Sequence, residues 1–173
     1  LSKLAVKLPG SIWITGKPER WQAVSYYLIL VVLLVMLTFI KSKYKYNQYR
    51  KIRTLRIITI FVMSTMTVIL IYRNREPFTV TMLSVGQGEC TVMHGTDVPT
   101  VMIDGGSTDV SEVGKYRMIP YLKSNRLHRI DTVFISHTDT DHVSGIIEIL
   151  QSPEEGVRIR QLILPAIDTT LQN

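Results

Sequence analysis

Within six residues, His137-Thr138-Asp139-Thr140-Asp141-His142, the chain places four side chains that can bind a metal. Ser136 precedes them at the end of an apolar run, and an apolar helical pattern follows. Alternate residues of an extended loop share one side, so His137, Asp139 and Asp141 can converge. His142 then turns in as a helix begins. A divalent ion held there would acidify a water and stabilise developing negative charge, which is the chemistry of metal-assisted hydrolysis. A plain solvated loop would use Asp141 as a helix cap. That use leaves the paired histidines without a purpose.

The elements that must position this loop are short. Phe78 to Val85 alternates and is rich in β-branched residues, predicting a strand. Gly86-Gln87-Gly88 punctuates it, Cys90 to His94 reads as the next strand, and Gly95 to Pro99 as a turn. Thr100 to Ile103 is a third strand, ending in Asp104-Gly105-Gly106. Tyr116 to Asn125 suits a helix in which Pro120 is tolerable only near the first turn. Thr132 to Ser136 reads as a buried strand, His142 to Leu150 as an amphipathic helix, and Arg158 to Leu164 as a final strand. The order predicts an α/β sandwich. On residue types alone, Asp104-Gly105-Gly106 reads equally as a plain turn. Gly86-Gln87-Gly88 is a weak phosphate cradle, since no Gly-Lys-Ser/Thr follows.

The rest of the chain is of another kind. Of 173 residues, 20 are Lys or Arg and 14 are Asp or Glu, a net charge of +6. Residues 1–75 hold 13 of the basic residues against the single acid Glu19, while residues 76–173 hold 7 basic and 13 acidic residues. One cysteine, Cys90, excludes an internal disulfide framework. Trp21 to Ile40 is 20 residues without a charge, long enough to cross a bilayer. Ile57 to Tyr72 is a shorter uncharged run whose flanking Arg56 and Arg73 can snorkel. Between them stand seven basic residues and no acid. The positive-inside rule puts that loop, residues 41–56, in the cytoplasm and both flanks outside. Nucleic-acid binding by the loop, and a buried hairpin in a soluble protein, are the competing readings.

The H-x-D-x-D-H segment resembles the metal-binding motif of the metallo-β-lactamase superfamily, H-x-H-x-D-H, with Asp139 where the second His usually stands. Together with Leu83-Ser84-Val85-Gly86-Gln87-Gly88 and Ile103-Asp104-Gly105-Gly106, it is similar to the C-terminal domain of ComEC-type DNA-uptake channels. Leu8-Pro9-Gly10 and the run from Trp21 look like the end of that family's channel region. Glu89 departs from the Asp usual after the GQG, and Ser144 from the first Gly of D-H-x-G-G.

The resemblance implies an α-helical transmembrane hairpin followed by an α/β metallo-β-lactamase-like domain, an αββα sandwich present only as its N-terminal half. Residues 1–20 would be the outward-facing tail of the channel region, 21–75 two transmembrane helices (about 21–40 and 56–72), and 76–173 the half-domain. His137 and Asp139 would serve one metal, Asp141 and His142 another, with Asp141 also orienting the hydroxide. Two divalent ions, Mn²⁺ or Zn²⁺, are implied, and Asp139 hardens the site toward Mn²⁺. Asp104, Gly86, Gln87 and Gly88 would support the site. His94 and His128 read as structural or exposed, and Cys90 as a small buried residue. No His follows His142, and Asp168 is the only later Asp, so the chain reads as a fragment that is inactive alone.

The function expected is extracytoplasmic, metal-dependent DNA degradation at the cell membrane, on the strand that is not imported. DNA, the lipid bilayer and other uptake machinery are the expected partners. A non-catalytic module that guides DNA, and a membrane-tethered hydrolase of another ester or amide, are the alternatives. The acidic balance of 76–173 counts against a DNA surface within it.

Overall fold

The computed structural model describes residues 14–43, 49–72 and 76–166. Leu8-Pro9-Gly10, Arg73 and Asp168, to which the sequence assigns roles, lie outside them. The chain divides into two units, Pro18–Asn74 and a second that joins Leu1–Lys17 to Arg75–Asn173.

The first unit is a pair of helices, α1 (Arg20–Lys43) and α2 (Tyr49–Ile71). Pro18 precedes α1, and the Glu19 N–H donates to Gln22 Oε1 at 2.8 Å, the return bond of a capping box. The amide of Gln22 also donates to the carbonyls of Ile69 and Tyr72, at 2.7 and 2.6 Å. These acceptors belong to the end of α2, where the intrahelical ladder leaves carbonyls unpaired. The start of α1 is thereby fastened to the end of α2. Leu28, Val31, Val32, Ile60, Phe61 and Val68 remain exposed, an apolar exterior that water does not favour.

Arg53–Ile71, 19 residues, is long and apolar enough to cross a membrane. The apolar run of α1, Arg20–Met36, falls short of that length, so one helix qualifies among the described residues where the sequence predicts two. The expected loop 41–56 is also largely helix: Lys41–Lys43 end α1 and Tyr49–Arg56 open α2.

In the second unit, strands β1 (Thr79–Met82), β2 (Thr91–Gly95), β3 (Val98–Ile103), β5 (Thr132–Phe134) and β7 (Leu162–Ile163) form one mixed sheet in the order 1-2-3-5-7. The first two pairings are antiparallel, and β3, β5 and β7 run parallel. A two-stranded parallel ribbon pairs β4 (Arg129–Ile130) with β6 (Arg158–Ile159). The predicted strand 158–164 is therefore two strands in two sheets. Arg160 N–H bonds to Ile130 on one side, and Gln161 O accepts from Val133 on the other, so the backbone changes partner between them.

Helix α3 (Ile119–Ser124) is entered through a wide turn, Gly114–Met118, in which the Ile119 N–H reaches the Gly114 carbonyl five residues back. The extra residue lets Pro120 sit inside a continuous helical segment without driving its ring into the carbonyl four residues earlier. This corrects the simple helix expected from Tyr116. Helix α4 (Thr140–Gln151) follows β5.

One face of the sheet is buried. Val92, Met102 and Val133 are register neighbours at 0% exposure, in one cluster with Met118, Leu122, Ile146 and Ile149 from the helices. Full burial of such side chains contributes about 1.5–3 kcal/mol each. The alternate residues Val80, Met82, Phe134 and Ile163 on the other face are exposed. Among the described residues the unit is thus a five-stranded mixed sheet with helices on one face and a two-stranded parallel ribbon, the α/β organisation that the sequence predicts. Residues 14–17 join this unit: Ile14 packs on its core, and Lys17 N–H bonds to Ser124 O at 2.9 Å.

Candidate metal centre

The C-terminal ends of β3 and β5 lead into Asp104 and Ser136, and the link from β1 to β2 carries Gly86-Gln87-Gly88-Glu89 to the same end of the sheet. Asp139 is the N-cap of α4, in extended conformation, and its carbonyl accepts from the N–H groups of His142 and Val143. Asp141 and His142 therefore lie in the first turn. The ligand atoms of His137, Asp141 and His142 come within 4.8 Å of one another. The rings of His137 and His142 approach to 3.6 Å between centroids, and Asp141 Oδ2 is 3.4 Å from His142 Nε2. Asp139 stands outside this group. Its side chain is 78% exposed, with Oδ2 3.8 Å from His137 Nε2.

Asp104 is 1% exposed and holds His142 from behind. Its Oδ1 accepts the Ser136 N–H at 2.8 Å, and its Oδ2 accepts the Ser136 hydroxyl at 2.7 Å and meets His142 Nδ1 at 3.0 Å. The ring proton then belongs on Nδ1, and Nε2 is the nitrogen left for a metal. Burial pushes the Asp104 carboxyl up, but the bonds from Ser136 and His142 outweigh it and hold the group below its ordinary value. For His142, burial acts downward and is outweighed by the hydrogen bond and charge of Asp104, then by Asp141 and Glu89, so its pKa is raised. An imidazole so surrounded by carboxylates is an electron-rich donor, suited to a divalent cation.

The glycine loops clamp the ligand segment by its backbone. Glu89 N–H bonds to Asp141 O at 3.2 Å, Gly105 N–H to His142 O at 2.8 Å, and Gly106 N–H to Glu89 O at 3.2 Å. A Cβ on Gly106 would fall 2.4 Å from Thr140 O and 2.6 Å from His142 N, and one on Gly88 would fall 2.1 Å from Gly106 O. Both approaches require glycine. Gly86, with φ of 84°, makes the turn that precedes them, and the Gln87 N–H donates to Asp109 Oδ1 at 2.6 Å. The Gln87 side chain itself is exposed with the rest of that residue.

Sequence reasoning missed the roles of Ser136, Ser107, Asp109 and Ser144. Ser144 Oγ accepts the Ser107 N–H at 3.0 Å, and Ser107 Oγ donates to Asp109 at 2.9 Å, tying the start of α4 to the Gln87 turn. Those bonds to Gln87 and Ser107 hold the Asp109 carboxyl below its ordinary value. Their one sequence signal was Ser144 in place of a glycine.

The other histidines stand apart from the group. His94 is buried, with Nε2 3.1 Å from the Tyr121 hydroxyl, and His128 is exposed. Cys90 is buried, and burial, followed by the charges of Asp104 and Glu89, pushes its thiol up to about 12.

A family model described as the Metallo-beta-lactamase superfamily matches residues 83–172, just over half of the chain. No curated protein and no solved structure matches.

Proposed function

Because the chain belongs to the metallo-beta-lactamase superfamily, whose members are in general metal-dependent hydrolases, we propose that it carries the hydrolytic centre of a membrane-bound DNA-uptake protein. The observation that carries the hydrolase reading is the convergence of His137, Asp141 and His142 within 4.8 Å. Two imidazoles and a carboxylate fit a divalent ion of the zinc or manganese type, and three protein ligands leave a position open for reaction. When bound, such an ion supplies Lewis acidity and a water of lowered pKa.

The chain's own residues do the positioning. Asp104 holds the His142 ring with Nε2 toward Asp141. Asp141 orients the attacking water through a carboxylate oxygen. His137, 49% exposed, stands on the solvent side, where a substrate enters. A second ion would draw on Asp139, the carboxylate beside His137.

DNA is the proposed substrate, on the strand not imported; the H-x-D-x-D-H variant and the apolar helix pair support it. We place both helices across the membrane. Arg53–Ile71 meets the length requirement alone, and the Gln22 bonds to α2 make the two helices one hairpin. The basic residues between the apolar runs favour a cytoplasmic turn, which puts the hydrolase unit on the extracytoplasmic side, with the bilayer and other uptake machinery as partners.

A non-catalytic DNA guide is the second reading, favoured by the small ligand set that one loop and one helix turn supply. The test is cleavage of labelled single- and double-stranded DNA by the full-length protein in lipid nanodiscs, with Mn²⁺, Zn²⁺ or chelator. Cutting that needs metal and disappears in Asp141→Ala is the expected result. DNA bound but uncut under every metal would establish the guide instead. Turnover of a lactam or another ester without DNA cleavage would replace the substrate.

A further inference from the structure

We propose that the outer face of the β4–β6 ribbon, carrying Arg129, Arg158 and Arg160, docks on anionic phospholipid headgroups; the inference rests on the membrane reading above. Residues 76–173 hold only seven basic residues, and the ribbon gathers three of them. In its parallel pairing Arg129 is the register partner of Arg158, so both side chains leave the same face. Exposure alternates along residues 158–160, which places Arg160 with Arg158. Ile130 and Ile159 turn the other way: Ile130 is fully buried and Ile159 packs against the core. All three arginines are exposed. Asp131 Oδ1 meets Arg129 at 2.9 Å, whereas Arg158 and Arg160 have no ion-pair partner among the described residues. Like charges directly opposite across two strands destabilise the pair, and an anion shared between them offsets that cost.

The ribbon stands close to where the chain passes to the apolar helices. Within the same unit, Lys17 N–H bonds to Ser124 O at 2.9 Å, and the Arg126 guanidinium donates to Thr15 O. Arg126 is three residues from Arg129, and the carbonyl of His128 between them accepts the Arg158 N–H at 3.0 Å. In the other direction Lys17 is three residues from Arg20, where α1 starts, a span of at most about 11 Å. Trp21, 52% exposed at that end of α1, is a residue type that settles at the bilayer surface. With α1 embedded, the arginines come within reach of the headgroups. The metal centre is elsewhere: from Arg129 the chain runs roughly 20 Å along β4 and β5 before it reaches Ser136. A headgroup phosphate beside α1 fits these arginines better than a substrate strand held at the metal.

The test is trace modification of arginine by phenylglyoxal, read residue by residue by mass spectrometry. It uses the full-length protein in nanodiscs of phosphatidylcholine alone or mixed with phosphatidylglycerol. Arg129, Arg158 and Arg160 should react about fivefold more slowly in the mixed discs. High salt should restore their rates. Arg117, exposed on the turn before α3, should react equally in both. Single- and double-stranded oligonucleotides added to the phosphatidylcholine discs should leave the three rates unchanged. Equal rates in both discs overturn the lipid assignment, and protection by oligonucleotide but not by phosphatidylglycerol replaces it with a nucleic-acid surface. Hydrogen exchange over Arg53–Ile71 separates this proposal from the membrane reading. Slow exchange there with arginines that ignore the lipid overturns the docking face and leaves the hairpin standing. Exchange as fast as in a water-exposed helix overturns both.

Discussion

Asp104 Oδ2 lies 3.0 Å from His142 Nδ1, while Nε2 on the far side of the same ring faces Asp141 Oδ2 at 3.4 Å. One ring edge is thus committed to the protein and the other to the site. Asp104→Asn should weaken Zn²⁺ affinity by about 10–100-fold, because the ring loses the partner that orients it. It should also destabilise the fold by about 1–3 kcal/mol, since a buried carbonyl and amide cannot replace two charged acceptors for Ser136 and His142. Competition with a chromophoric chelator and chemical denaturation measure the two effects separately.

Gly106→Ala tests the backbone clamp. Its Cβ would meet Thr140 O and the Asp141–His142 peptide at 2.4–2.6 Å, all backbone atoms with nowhere to retreat. The expected cost is about 1–3 kcal/mol of stability, with metal affinity reduced because the ligand turn must move. A melting temperature and Zn²⁺ affinity equal to wild type would count against the clamp.

Much of the candidate site was legible because His137, Asp141 and His142 crowd one loop and one helix turn, where residue type and spacing survive as a sequence pattern. Asp139 was not legible in the same way. Its alternation with His137 and Asp141 holds only for an extended loop, and the helix begins at Thr140, which leaves Asp139 at the cap with its side chain outward. The longer strands and α4 were readable from periodicity. The two-residue strands β4, β6 and β7 carry none, so they are set by tertiary pairing. Ser136, Ser107 and Asp109 escaped notice because their partners lie 22 to 37 residues away or depend on such partners. The packing of Ile14 on the core crosses the whole apolar segment and had no local signal.

Gln22→Leu tests the helix pair. It keeps the bulk of the side chain and removes the donors to Ile69 O and Tyr72 O. The pairing should weaken by about 0.6–2 kcal/mol, read as earlier unfolding in a detergent titration of the full-length protein. No shift would mean that packing alone holds the helices.

Cys90 offers a pH test. Its thiol rises from an ordinary 9.0 to about 12 through burial first, then the charges of Asp104 and Glu89. At pH 8 the folded chain should carry about a thousandfold less thiolate at this position than the unfolded chain, and alkylation should wait for denaturation. Between about pH 9 and 12 the unfolded state binds fewer protons, so this group's contribution makes stability fall as pH rises. Cys90→Ala should flatten that part of the curve. Rapid alkylation of the native chain would contradict the burial.

The central claim is that His137, Asp141 and His142 form one metal site, and Zn²⁺ titration calorimetry of the full-length protein tests it most directly. His137→Ala, Asp141→Ala and His142→Ala should each lower Zn²⁺ affinity by about tenfold or more, while His94→Ala and His128→Ala, checked for retained fold, should leave it unchanged. A wild type without measurable Zn²⁺ affinity, or triad variants that bind as well as wild type, would contradict the account.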